Sequence, residues 1–158
     1  MKIHGRSLRD HIRLLWPLLV FIAAVWALRM ALAATECPRS VVLAVSVTVA
    51  TAFCILLAAI LIHVRNFGSY SNVVFAAFLL ALWAQILIVS VVAFTALTRI
   101  PTIYAAPEFS AGLPVAEHIE GQLSFGLGMG TLFGSGMGCL LFWLLRHIVP
   151  SPLRPPRG

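Results

Sequence analysis

The chain has 158 residues, 61% of them hydrophobic and only 10% charged, with a formal net charge of +6. Soluble domains carry about 25% charged residues, so a water-soluble globule is excluded, and the length leaves no room for a separate soluble module. The positive charge does not point to nucleic acid, because the basic residues gather at the chain ends and beside apolar runs, where membrane proteins place their cytoplasmic anchors.

Residues 1–13 form a basic flank, with Lys2, Arg6, Arg9 and Arg13 against the single acid Asp10. The first apolar run, 14–34, carries Pro17 in its first turn, where a missing N–H costs little, and Arg29 near its end. Arg29 is expected to snorkel to the outer interface or to pair with Glu36. A basic start, an apolar core and Ala31-Leu32-Ala33 also match a cleavable signal peptide. Arg29 interrupts the approach to that cleavage site, and the run is long enough to span uncut, so a retained span is the expectation.

The second run covers 41–63, and Ser46, Ala50, Cys54 and Ala58 recur along it at every fourth residue as a stripe of small side chains. The third, 73–97, carries Gln85 as the most deeply placed strongly polar group. An amide facing lipid would be left unpaired, so Gln85 is expected to face the bundle, on the same face as Ala77 and Ala81. At about 1.5 Å per residue, each of these runs crosses a hydrocarbon core of about 30 Å.

Residues 98–122 form the one long stretch outside the apolar runs, broken by Pro101, Pro107 and Pro114. A helix is expected to begin near Val115, with Glu117 and Glu120 at its positive end. Glu117, His118 and Glu120 could in principle hold a metal, but His118 points about 100° away from the shared face of the two carboxylates. A solvated helix start is the plainer reading.

The last run, 123–147, contains Gly126, Gly130, Gly134 and Gly138, again at every fourth residue. In water each interior glycine would weaken a helix by about 1 kcal/mol relative to alanine. In a bilayer the backbone must satisfy its own hydrogen bonds, so the helix persists and the glycines expose a groove of bare backbone. Such a groove receives another helix, either within the chain, with the second span as the first choice, or from another subunit. Residues 150–158 read as a disordered proline- and arginine-rich tail.

Lys and Arg divide eight to three between the side holding the N-terminus, the 63–72 connection and the tail, and the opposite side. This places both termini in the cytoplasm and the acidic loop outside, with a bacterial inner membrane as the expected location.

Cys37, Cys54 and Cys139 form no disulfide or metal framework. His11, His63 and His147 lie at similar depth but at the membrane boundary, which suits helix-end contacts better than haem ligation. The glycines near 126–130 lack the strand and helix context of a dinucleotide loop, and no nucleophile, phosphate or metal motif is present. No cofactor is expected.

The fold expected is an all-α four-transmembrane-helix bundle with a glycine-zipper last helix, in contact with the lipid bilayer. The leading functional expectation is a small subunit, assembly factor or scaffold that packs against other transmembrane helices, in a homo-oligomer or a larger complex. The alternative is a small oligomeric transporter or channel, with Gln85, Thr48, Thr51 and Ser90 along a wet path; a haem or metal enzyme stands third.

Overall fold

A computed structural model of the chain describes residues 2–3, 6–35, 37–100, 102–105 and 113–149. Glu36, Glu108 and the tail expected to be disordered lie outside the described residues, as does the Arg29–Glu36 pairing.

Two short strands, β1 (Lys2–Ile3) and β2 (Arg6–Ser7), pair antiparallel ahead of the first helix. Helix α1 (Leu8–Ala34) starts six residues before the apolar run because Ser7 and Asp10 form a capping box. Ser7 Oγ accepts from the Asp10 amide, and Asp10 accepts from the Ser7 amide. Pro17 is therefore an interior residue of this helix rather than a first-turn one.

The second apolar run does not form one uninterrupted helix. Helix α2 (Arg39–Ala44) stops, Val45 and Ser46 take non-helical backbone angles, and α3 (Val47–Val64) restarts. Ser46 caps α3 by accepting from the Val49 amide. A small-residue stripe gave no hint that its first member would be a helix boundary. Ser and Thr compete for backbone hydrogen bonds, and Ser46 does so here.

Helix α4 (Tyr70–Thr98) is continuous, and Arg99, with φ 59°, ends it in the left-handed region. A 3₁₀ turn (Ile103–Ala105) follows. The last helical stretch is longer than its apolar run. It begins as α5 (Val115–Gly121), widens into a π-type turn over Gln122–Gly126, and continues as α6 (Leu127–Ile148). Among the described residues, four helical stretches are long and apolar enough to cross a membrane. Many large apolar side chains on their outer faces are exposed, among them Trp16, Phe53, Ile86 and Leu140, which suits a lipid surround.

Helices α3 and α4 form the central pair, with α1 against one side and α6 against the other. Two consecutive carbonyls of α1 receive donors from the pair: Cys54 Sγ reaches Leu18 O at 3.8 Å, and Trp83 Nε1 donates to Leu19 O at 3.0 Å. Ala50, Cys54 and Ala58 are buried. Through Cys54 the small stripe of α3 thus meets α1.

The glycines of α6 meet different neighbours. A β-carbon built on Gly130 would lie 3.5 Å from Ala81, and one on Gly134 would lie 2.5 Å from Ile55 Cδ1 and 3.8 Å from Ala77. At Gly138 it would lie 3.0 Å from Val73 Cγ1 and 3.3 Å from Ile55 Cγ2. The groove is filled by the small face of α4 and by Ile55 of α3. Gly128 and Gly136, on other faces of α6, have open space around them.

Candidate functional site

The break between α2 and α3 and the wide turn before α6 lie beside the same cavity. Its volume is about 520 Å³, within the usual range for small-molecule sites. Ser46, Thr48 and Thr51 line it from the broken helix. Gln85 enters from α4, Gln122 from the π-type turn, Arg29 from α1 and Tyr104 from the 3₁₀ turn after α4. Ile55, Met129, Phe133 and Met137 supply apolar walls. Three of the four residues expected along a polar path therefore share one cavity. Ser90 does not: it is exposed, and its hydroxyl donates to Leu87 O at 2.7 Å within its own helix.

Each polar side chain is there for a local reason. Ser46 is drawn in because the chain leaves the helix at that point. The first-turn amides of α3 lack intrahelical acceptors, as at any helix start, so this edge of the cavity is electropositive. Gln122 is displaced by the π-type turn, a feature often found beside functional sites. The turn also sets Gly126 against Gln85, whose amide nitrogen would lie 2.8 Å from a β-carbon there. Gln85 is half-buried and lines the cavity, yet its side-chain oxygen is enclosed without a hydrogen-bond partner. Thr51 donates to Val47 O at 2.8 Å, so its hydroxyl keeps only acceptor capacity for a ligand.

Of the two expectations for Arg29, the structure bears on the first, since the pairing with Glu36 lies outside the described residues. Arg29 is buried, with its guanidinium 5.0 Å from the centre of the Tyr104 ring, rather than reaching out to the interface. A flat guanidinium over an aromatic face is a favourable contact when desolvated. Tyr104 is itself buried and packs with Ile88, Val91 and Val92 of α4.

Burial raises the Tyr104 phenol above its ordinary value, against the opposing pull of the Arg29 charge. The stability linked to this group is thus full below the ordinary phenol range near pH 10 and is lost as pH rises through the raised value. An ultraviolet titration should show a tyrosine component ionising above about pH 10. That component should be absent from Tyr104→Phe. If the component lost in the variant titrated at the ordinary phenol value near pH 10 instead, the ring would be solvated.

Glu117 and Glu120 are exposed whereas His118 is buried, so the three do not converge. His118 is enclosed rather than solvated, with its Nε2 3.5 Å from Gln122 Nε2. Among the described residues no cluster of three or more His, Cys, Asp or Glu side chains is placed to hold a metal.

The three boundary histidines make helix-end and connection contacts. His63 Nε2 meets Val149 O at 3.1 Å, and His147 Nδ1 meets Trp143 O at 2.9 Å. His11 meets Ser7 O and Asn72 Oδ1, each at 2.9 Å.

Gln122 carried a sequence signal that went unread, since it lies one four-residue step before Gly126 in the same stripe. Tyr104 carried none: it sits in a proline-bounded stretch whose packing no local pattern encodes. No family model matches the chain, and neither the curated proteins nor the solved structures yield a significant match.

Proposed function

We propose that this chain is a small integral membrane protein that binds a lipid-phase small molecule in the cavity between its broken helix and α6, as a binding or transport protein. The observation that carries the proposal is the convergence of two helix irregularities on one cavity with buried polar groups. Irregular backbone at membrane depth is tolerated where it lines a cavity, and discontinuous helices recur at the binding sites of membrane transporters. A scaffold would need neither the break at Ser46 nor the wide turn at Gln122. In this reading the glycine-zipper face of α6 is the frame that holds the cavity's far wall. The charge asymmetry supports cytoplasmic termini in a bacterial inner membrane, with the cavity in the outer half.

A second reading, the subunit or assembly factor, is favoured by Gly128 and Gly136, whose open surroundings leave room for another helix on α6.

Native mass spectrometry after gentle extraction separates the two. The binding reading expects a small-molecule adduct on the protein. Ala52→Phe, which fills the cavity from a half-buried lining position, should remove that adduct while folded yield is kept. A stoichiometric complex with other polypeptides and no small-molecule adduct would replace the proposal with the subunit reading.

A further inference from the structure

Independently of the cavity, we propose that the arginine cluster at the other end of the bundle is a binding site for the headgroup of an anionic phospholipid. The cluster lies where β2 and the start of α1, the 65–69 connection between α3 and α4, and the end of α6 come together.

Contacts on the two sides of that short connection fix the placement. Arg6 Nε donates to Phe67 O at 3.0 Å, and its guanidinium lies 4.8 Å from the centre of the Phe67 ring. That bond uses one of the five donors of the group. Arg146, in the last turn of α6, holds its guanidinium 5.9 Å from the Tyr70 ring and 5.8 Å from the Phe142 ring. Phe67 and Tyr70 are three residues apart, a length of chain that reaches about 11 Å at most. Arg65, which is exposed, opens the same connection. Guanidinium groups already held against rings lose less freedom on meeting a partner, and their planar forks match phosphate oxygens.

The sign of the face follows from its sum of charges. Helix α1 adds Arg9 and Arg13, both exposed and four residues apart on one side of the helix. Like charges at that spacing weaken a helix slightly, and an anion beside them removes the penalty. Among the described residues this end holds five exposed arginines and one acid, Asp10. The Asp10 Oδ2 already accepts from the Ser7 amide and hydroxyl. Glu117 and Glu120 lie at the far end, before α6 begins its span.

Depth selects a lipid over a soluble anion. Tyr70 is the ring against Arg146, and Trp143 lies one turn before it on α6; both are exposed. Exposed Tyr and Trp gather at the level of the membrane headgroups. Leu144 and Ile148, also exposed, flank Arg146 on the same helix and offer apolar surface to acyl chains. A soluble polyanion would meet the cations alone, whereas a phospholipid meets both the cations and the apolar flank.

The test is native mass spectrometry of the full chain, delipidated in detergent. It is then titrated with phosphatidylglycerol, phosphatidylethanolamine and phosphatidylcholine of the same acyl chains. Each arginine near a membrane surface strengthens attraction to anionic lipid about fivefold. The expected result is a phosphatidylglycerol adduct at concentrations about tenfold or more below those of the other two lipids. Arg65→Gln combined with Arg146→Gln should bring the three lipids near parity, and the matching pair of lysine substitutions should keep most of the preference. Arg99→Gln, which removes an exposed charge at the opposite end, should leave it unchanged.

Equal uptake of the three lipids by the wild-type protein would overturn the proposal, whether or not the variants fold. A preference that survives the double glutamine variant would overturn it too. So would a preference that Arg99→Gln reduces as much, since the attraction would then belong to net charge and not to this face. Displacement of phosphatidylglycerol by millimolar inorganic phosphate would assign the face to a soluble anion instead. Ala52→Phe should keep the preference, and its loss there would put the lipid in the cavity and overturn the site.

Discussion

Gly134→Leu and Gly138→Leu are expected to abolish recovery of folded protein, whereas Gly128→Leu and Gly136→Leu on the same helix are expected to leave it intact. The difference lies in what each new side chain would meet. At Gly138 the first neighbours are Val73 Cγ1 at 3.0 Å and Ile55 Cγ2 at 3.3 Å, both branches held close to the backbone. At Gly134 the nearest atom is the end of the Ile55 side chain, 2.5 Å from the built β-carbon. A rotation of Ile55 could absorb one methyl there, but not an isobutyl group. Overpacking a tight core costs about 1–3 kcal/mol. Here the added bulk also pushes α6 away from both α3 and α4, so the loss should exceed that range.

Gly130→Ala makes an internal control. Its β-carbon would be in ordinary contact with Ala81 at 3.5 Å, and alanine favours a helix by about 1 kcal/mol over glycine. Fluorescence-detected size exclusion and thermal unfolding in detergent would read all five variants. If the four leucine variants fell equally, the helix would be intolerant of bulk in general, and the specific seam with Ile55 and Val73 would not be what holds it.

That contrast also marks how far the sequence could be read. The stripe Gly126, Gly130, Gly134 and Gly138 is visible because period four and the absence of side chains are both local properties. The number of spans is visible because an apolar run of about 20 residues has one fate. The partner of the stripe is not local. Val73, Ala77, Ala81 and Gln85 repeat at the same four-residue step along α4 and run antiparallel to the glycines, so the two helices match residue for residue. Only Ala77 and Ala81 look like a packing face, however, because Val73 and Gln85 are neither small nor alike.

The break at Ser46 was hidden by the regularity of the sequence around it. Val, Leu and Ala continue on both sides, and a single serine within an apolar run ordinarily stays helical by bonding to its own turn. Arg29 misled for a related reason. An arginine near a span's end normally reaches the interface, whereas Arg29 stays inside with a buried aromatic from a distant loop, Tyr104, against its guanidinium. Both surprises belong to the cavity, where local preference is overridden by a packing arrangement that spans the chain.

At the opposite end of the bundle, Asn72→Ala is expected to lower stability by about 1–3 kcal/mol, the usual cost of leaving a buried polar group unsatisfied. His11 and Asn72 are both 0% exposed. The His11 ring is enclosed edge-on by Phe67 and Phe75, with centroids 5.0 and 4.9 Å away. Its Nδ1 must carry a proton, because the Ser7 carbonyl it meets can only accept. Its Nε2 then depends on Asn72 alone, whether it accepts from the amide N–H or, as the imidazolium, donates to the amide oxygen.

Hydrogen bonds between transmembrane helices average only about 0.6 kcal/mol, because the unfolded chain within the membrane finds other partners. This pair lies at the start of both helices, where the unfolded chain meets water, and the larger figure should apply. A double-mutant cycle with His11→Phe and Asn72→Leu isolates the coupling. The double variant should recover much of the stability lost in either single one, since no orphaned polar group remains. Gly68→Ala should act in the same direction as Asn72→Ala, because its β-carbon would overlap the Asn72 amide. Single variants that unfold at the wild-type midpoint would mean that water reaches the ring and that α1 is held to α4 by Trp83 and Leu19 instead.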